Sequence, residues 1–220
     1  MTVTVHLSRF LPLVLPHAPE CPHGVATFNL RLAAIEFCER TRCWRHITNI
    51  KVQRERRALC APAYAAIHHI ERATWEDGTE LEPLQFSHVD EGDFPPDAGG
   101  VPRFITQEQY NSIRVLPFSE GEVKLSLFLK PVNGMDMAQN AEGITQDAYD
   151  VVPEFIYTMH AEAIAAGALA RLLAQPGKPW SNMEGAMLYG GRAREFMDQH
   201  FSVNLSGQHR APRRSRFRFV

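Results

Sequence analysis

The sequence predicts an α+β fold: a helical bundle of three main helices carrying a β-rich insertion, with extended N- and C-terminal arms. Three observations carry that expectation. Apolar residues recur at helical spacing early in the chain and again, over a longer stretch, after Pro153; the block between them alternates with a period near two; and the two ends are proline-broken or arginine-rich instead of periodic. The resulting organisation is an extended arm over 1–22, a bundle from 23–43 plus 151–206, a β-rich insertion with loops over 44–150, and an Arg/Phe-rich tail over 207–220.

The arm is apolar and interrupted by Pro12, Pro16 and Pro19, with Pro22 just beyond, so an extended arm available to neighbouring subunits is expected over a regular element. From about Gly24 to Cys43, Phe28, Leu30, Leu32, Ala34, Ile35, Phe37 and Cys38 fit one helical stripe, leaving Arg31, Glu36, Glu39 and Arg40 for the polar face. Beyond Trp44 the period shortens: Ile47, Ile50 and Val52, then Ile67 and Ile70, then Ile113, Val115 and Leu116 mark short strands. The clearest strand is Glu122–Lys130, with Val123, Leu125, Leu127 and Leu129 on one face and Lys124, Ser126 and Phe128 on the other. Glu76-Asp77-Gly78 reads as a hairpin turn and Ser119-Glu120-Gly121 as a weaker one.

Pro131 closes that strand, and Asn133-Gly134 opens a long polar loop to Asp147. Pro153 and Glu154 suit the first turn of the strongest helix, which Pro176-Gly177 ends. Alanine or glycine at 161, 163, 165–168 and 170 keeps its surface thin, so partner helices can approach closely. Ser181 and Glu184 form a capping-box pattern opening a last helix to about His200.

The 220 residues are enough for one domain with a sizeable core, and 45% apolar with 22% charged residues excludes wholesale disorder and fibrous architectures. The apolar run Phe10–Leu15 contains proline and has no small-residue cleavage site, so neither a secretory nor a membrane-spanning segment is expected. Cys21, Cys38, Cys43 and Cys60 are expected as reduced thiols, because a chain of this size folds on its core. The net charge of −2 hides an asymmetry: all five basic residues of 207–220 are arginines with no acid beside them, leaving 18 basic against 25 acidic groups, or −7, in residues 1–206. Eight acids and the single base Arg72 between Glu71 and Asp93 mark a solvated or cation-facing region.

Candidate chemistry is sparse. Cys21-Pro22-His23 and Cys38-x4-Cys43-x2-His46 bring thiols and imidazoles close in sequence, but Cys38 and Cys43, five apart on the expected helix, face about 140° apart, so no metal site is expected. His68 and His69 point to opposite faces of a strand. Glu120 and Glu122 are a carboxylate pair of no specificity, and no Walker, dinucleotide, nucleophile-elbow or zincin pattern occurs; no catalytic residue, cofactor or enzymatic activity is expected. The tail is the sharp feature. Arg210, Arg213, Arg214, Arg216, Phe217, Arg218, Phe219 and Val220 end in a period-two Arg/Phe alternation that suits a strand added to a partner's sheet edge. Nucleic-acid binding and a solvated basic end are the other readings of the same residues.

Two segments resemble a known family. AAIEFCERTRCWR (Ala33–Arg45), preceded by LPHAPECP (Leu15–Pro22), resembles the first helix of the head-to-tail adaptor (connector) proteins of tailed bacteriophages, and AEAIAAGALARLLAQPGKPWSN (Ala161–Asn182) resembles their late helix and its turn. The quoted segments make up about a fifth of the chain, at both ends of the β block, and the order helix, β block, two helices agrees with the family. It implies a structural virion protein, assembled in the host cytoplasm, whose copies form a ring, commonly a dodecamer, under the portal protein; a downstream tail or nozzle protein binds below and DNA passes through the channel without specific binding. Gly190-Gly191, which reads as an interruption of the last helix, and the long patterned tail depart from the family pattern. A DNA-binding protein using the Arg-rich tail is the alternative.

Overall fold

The computed structural model describes residues 3–53, 58–85, 100–109, 111–132 and 150–206. The elements in chain order are β1 (Thr4–His6), α1 (Leu11–Val14), α2 (His23–Thr41), β2 (Arg45–Val52), β3 (Ala58–Leu59), β4 (Ala65–Trp75), β5 (Glu82–Pro83), β6 (Phe104–Gln109), β7 (Ser112–Leu116), β8 (Gly121–Pro131), β9 (Val151–Pro153), α3 (Glu154–Leu173) and α4 (Met183–Ser206). The fold is mixed α+β. The Asn133–Asp147 loop, part of the acidic stretch and the tail lie outside the described residues.

The N-terminal segment is not an extended arm. β1 pairs antiparallel with β9, and 3-10 turns at Leu7–Phe10 and Leu15–His17 flank α1, burying Leu7, Phe10 and Val14 completely. The prolines belong to this arrangement: Pro12 and Pro16 are the second residues of their helical turns, where a backbone N–H has no intrahelical acceptor to lose. Phe10 meets the Tyr157 ring edge-on at 5.0 Å, and the Leu7 N–H donates to the Asp150 carbonyl at 2.7 Å. Arg31 of α2 pairs with the Asp150 carboxylate, tying this segment to the helices.

The buried stripe of α2 is Ala26, Asn29, Leu30, Ala33, Ala34, Phe37, Cys38 and Thr41; Phe28, expected in it, is exposed. α2 and α3 meet through small residues. A Cβ added at Gly167 would lie 3.2 Å from the Ala33 Cβ and 4.0 Å from the Ala193 Cβ of α4, so this glycine sits where three helices converge. Arg171 reaches Glu36 at 2.7 Å and Arg40 reaches Asp198 at 2.8 Å across the helix contacts. α4 runs through Gly190-Gly191 without a break: a Cβ added at Gly190 would lie 3.7 Å from the Ala170 Cβ, and one at Gly191 would meet open space. Its N-terminus is capped by Asn182 and not by Ser181, the Asn182 Oδ1 accepting from the Gly185 N–H at 3.0 Å.

The middle block forms two sheets. The first has the order β2-β8-β4, antiparallel throughout, and the second the order β3-β7-β6-β5, in which only β5 and β6 run parallel. β8 is central in the first sheet, and Val123, Leu125, Leu127 and Leu129 are each fully buried on the face toward the interior, as the alternation predicts. Its C-terminal end lies against α2, where Lys130 pairs with Glu39 at 2.5 Å. Phe128 is also buried, beneath the guanidinium groups of Arg42 and Arg45 at 5.9 and 5.2 Å. The turn at Glu76-Asp77-Gly78 forms, with Gly78 at φ 89° and the Trp75 N–H donating to the Thr79 carbonyl at 2.8 Å. Ser119-Glu120-Gly121 makes no hairpin: β7 and β8 belong to different sheets, and this segment carries the chain between them. Asn111, buried and left-handed at φ 55°, joins the sheets; its side chain donates to the Ala65 carbonyl at 2.6 Å and accepts from the Ile67 N–H at 2.9 Å.

Candidate functional site

The docking residues read from the sequence, Arg210, Arg213, Arg214, Arg216, Phe217, Arg218, Phe219 and Val220, lie outside the described residues. The helix that leads to them is described. α4 turns Ala186, Ala193 and Met197 inward, and at its other side leaves Met183, Met187 and Leu188 between 58% and 68% exposed. Spacing of four residues puts Met183 and Met187 on one face, with the open backbone at Gly191 one turn further. A strip of exposed methionine and leucine on the solvent side of a packed helix is a surface suited to contact with protein.

A second surface is the outer face of the β2-β8-β4 sheet. Two adjoining open grooves cross it, one of about 360 Å³ reaching Trp75, Glu76 and Glu122, the other of about 270 Å³ reaching Ile47, Arg72 and Ser126; Thr74 and Lys124 line both. Glu71 ties the face together by accepting from Arg45 and from the Ser126 hydroxyl, both at 2.6 Å. Groups of both charges, Glu76, Glu122, Arg72 and Lys124, line it, and Ile47 supplies an exposed apolar side chain. These features favour polar contact with a folded partner over the uniformly basic surface that phosphate binding uses.

The cysteine and histidine residues fall in three places. Cys21 and His23 stand at the start of α2, about 22 Å along the helix axis from Cys38. Among the described residues, no group of three or more His, Cys, Asp or Glu side chains is placed to hold a metal ion. His68 and His69 do not simply alternate, because the register of β4 on β8 shifts between Ile67 and His69. His68 is half-buried near Glu39, Lys130 and Arg42, and burial lowers its pKa, while His69 is exposed.

Cys38 and Cys43 correct the sequence reading most directly. Their sulfurs are 4.0 Å apart in hydrogen-bond contact, not on opposite sides of a helix. The 140° estimate assumed helix through residue 43, but α2 ends at Thr41 and Arg42 takes the left-handed conformation at φ 53°, ψ 35°. The Arg42 N–H closes the turn on the Cys38 carbonyl at 2.9 Å and swings Cys43 back over the last turn. No sequence signal marks this turn, since glycine or asparagine usually occupies such a position and here it is arginine.

No helix among the described residues is long and apolar enough to cross a membrane. No protein-family model matches the chain, and no curated protein matches it either.

Proposed function

We propose that this protein is a structural virion component, a head-to-tail adaptor whose copies form a ring under the portal, join capsid to tail and let DNA pass. In this reading α2, α3 and α4 are the bundle of the ring subunit, residues 44–150 are its β-rich insertion, and the portal above and a tail or nozzle protein below are its partners. One observation supports it above the rest. The two segments that carry the family resemblance, Ala33–Arg45 and Ala161–Asn182, are more than a hundred residues apart in sequence, yet they pack on each other through Ala33 and Gly167 and pair through Glu36 and Arg171. A motif shared with a family is more informative when its parts form one contiguous unit. The charge supports the same reading: an acidic body of −7 over residues 1–206 repels the phosphates of a duplex moving through a lumen.

Electron microscopy of the purified protein with and without portal tests this. Rings seated on the portal are expected. Portals that stay bare at micromolar adaptor, together with DNA affinity that falls steeply with salt and disappears on deleting 207–220, would replace the reading by that of a DNA-binding protein.

A further inference from the structure

We propose that Cys43 and Cys38 form a reactive dithiol that exchanges with small-molecule disulfides and closes an intramolecular Cys38–Cys43 disulfide at the end of α2. The inference stands apart from the adaptor reading and rests on geometry. The left-handed turn at Arg42 holds the two sulfurs 4.0 Å apart, so rotation about the Cys43 side chain, with local adjustment of the turn, brings them to the bonding distance of about 2.0 Å. Their exposures differ in the way a two-step exchange requires. Cys43 is partly buried, whereas Cys38 is fully buried.

The electrostatics divide the roles in the same sense. Hydrogen bonding from the Cys38 thiol, helped by Thr41 and the local backbone and opposed by burial, holds the Cys43 thiol below the ordinary range. Cys38 is pushed well above that range by the same hydrogen bond, then by burial and by the charges of Cys43 and Glu39. Cys43 is therefore the nucleophile and Cys38 the resolving thiol. Cys21 and Cys60 are buried, and burial raises both, Cys60 to about 12.

The chemistry balances with glutathione disulfide as the oxidant. The Cys43 thiolate attacks one sulfur, forming a protein–glutathione mixed disulfide and releasing one glutathione thiolate. Cys38 then loses its proton to solvent and attacks the Cys43 sulfur, which expels the second glutathione thiolate. Two protein thiols are oxidised by two electrons, one small disulfide is reduced, and two glutathione thiols leave. The product ties the end of α2 to Trp44 and the start of β2, where the helices hand the chain to the sheet.

The test is exchange of the folded, full-length protein with glutathione disulfide, quenched with acid, alkylated and mapped after trypsin. The expected product is the peptide Leu32–Arg40 linked to Cys43–Arg45, with Cys43 consumed roughly tenfold or more faster than Cys21 and Cys60. In Cys38→Ser, Cys43 stops as the mixed disulfide; in Cys43→Ser, the linked peptide disappears and Cys38 stays reduced. The wild-type map alone decides if a variant fails to fold. Glutathione retained on wild-type Cys43 without the linked peptide, or equal consumption of all four thiols, overturns the proposal.

Discussion

β8 of the β2-β8-β4 sheet and the meeting point of α2, α3 and α4 at Gly167 are packed with different materials. β8 alone contributes Val123, Leu125, Leu127 and Leu129, all fully buried, with Ile50 and Val52 of β2 beside them. Where the helices converge, the buried residues include Ala33, Ala34, Ala163, Ala166 and Ala193 around Gly167. The sheet is stabilised by the volume of branched side chains removed from water. The helices also bury large side chains, among them Leu30, Phe37, Ile164 and Leu169, but around Gly167 they meet by close backbone approach, in which each atom gained or lost alters the distance between axes. β8 and the Gly167 contact should therefore respond oppositely to changes in side-chain size.

The largest effect is expected in the sheet. Leu127→Ala removes most of a fully buried side chain from the middle strand, where neighbours on both sides restrict collapse, and should cost about 2–5 kcal/mol of folding stability. Urea unfolding checks this as a lowered midpoint with an unchanged slope. A loss below about 1 kcal/mol would show that the sheet relaxes around the cavity and would remove the contrast.

Next comes a buried titratable group within the helical core. His160 of α3 is buried between Phe37, at 4.9 Å, and the edge of the His200 ring, at 4.6 Å, and its Nδ1 has no hydrogen-bond partner among the described residues. Burial, and then the neighbouring His200, lower its pKa to about 4. Above the ordinary value near 6.5 the ring is neutral in both folded and unfolded chains, so folding stability is at its full value. As pH falls from 6.5 toward 4 the unfolded chain takes up a proton that the folded chain refuses, and stability declines by about 3 kcal/mol before levelling off. Comparing His160→Phe with wild type by denaturant unfolding between pH 7 and 4.5 isolates this group from the carboxylates. An identical decline in both proteins would remove His160 as its source.

The same regions differ in how far they were legible. β8 was readable because a period of two, bounded by Gly121 and Pro131, admits one arrangement of Val123 to Leu129 with respect to the core. α3 was readable from Pro153-Glu154 at its start and Pro176-Gly177 beyond its end. The N-terminal segment was misread because proline breaks a helix interior but suits a first turn, and the residues alone do not say which position Pro12 and Pro16 take. The Cys38–Cys43 contact and the Asn111 bridge both depend on left-handed residues, and neither position is glycine. The docking residues of the tail rest on sequence pattern alone.

The smallest effects give the sharpest test, because they compare two glycines of the helical region. Gly167 is confined: a Cβ there lies 3.2 Å from the Ala33 Cβ, closer than ordinary van der Waals contact, and valine would add two methyls directed into neighbouring helices. Gly167→Val should cost about 1–3 kcal/mol by overpacking, although valine is a better helix former than glycine. Gly191 is exposed and nothing lies within 4 Å of an added Cβ. Gly191→Ala should therefore stabilise by roughly 0.5–1 kcal/mol, since alanine loses less backbone freedom on entering a helix. Thermal unfolding of both variants should shift in opposite directions. If both rise, helix propensity governs the region and the close approach at Ala33 is relieved by a small shift; if both fall, α4 requires its Gly190-Gly191 pair for a reason other than packing on α3.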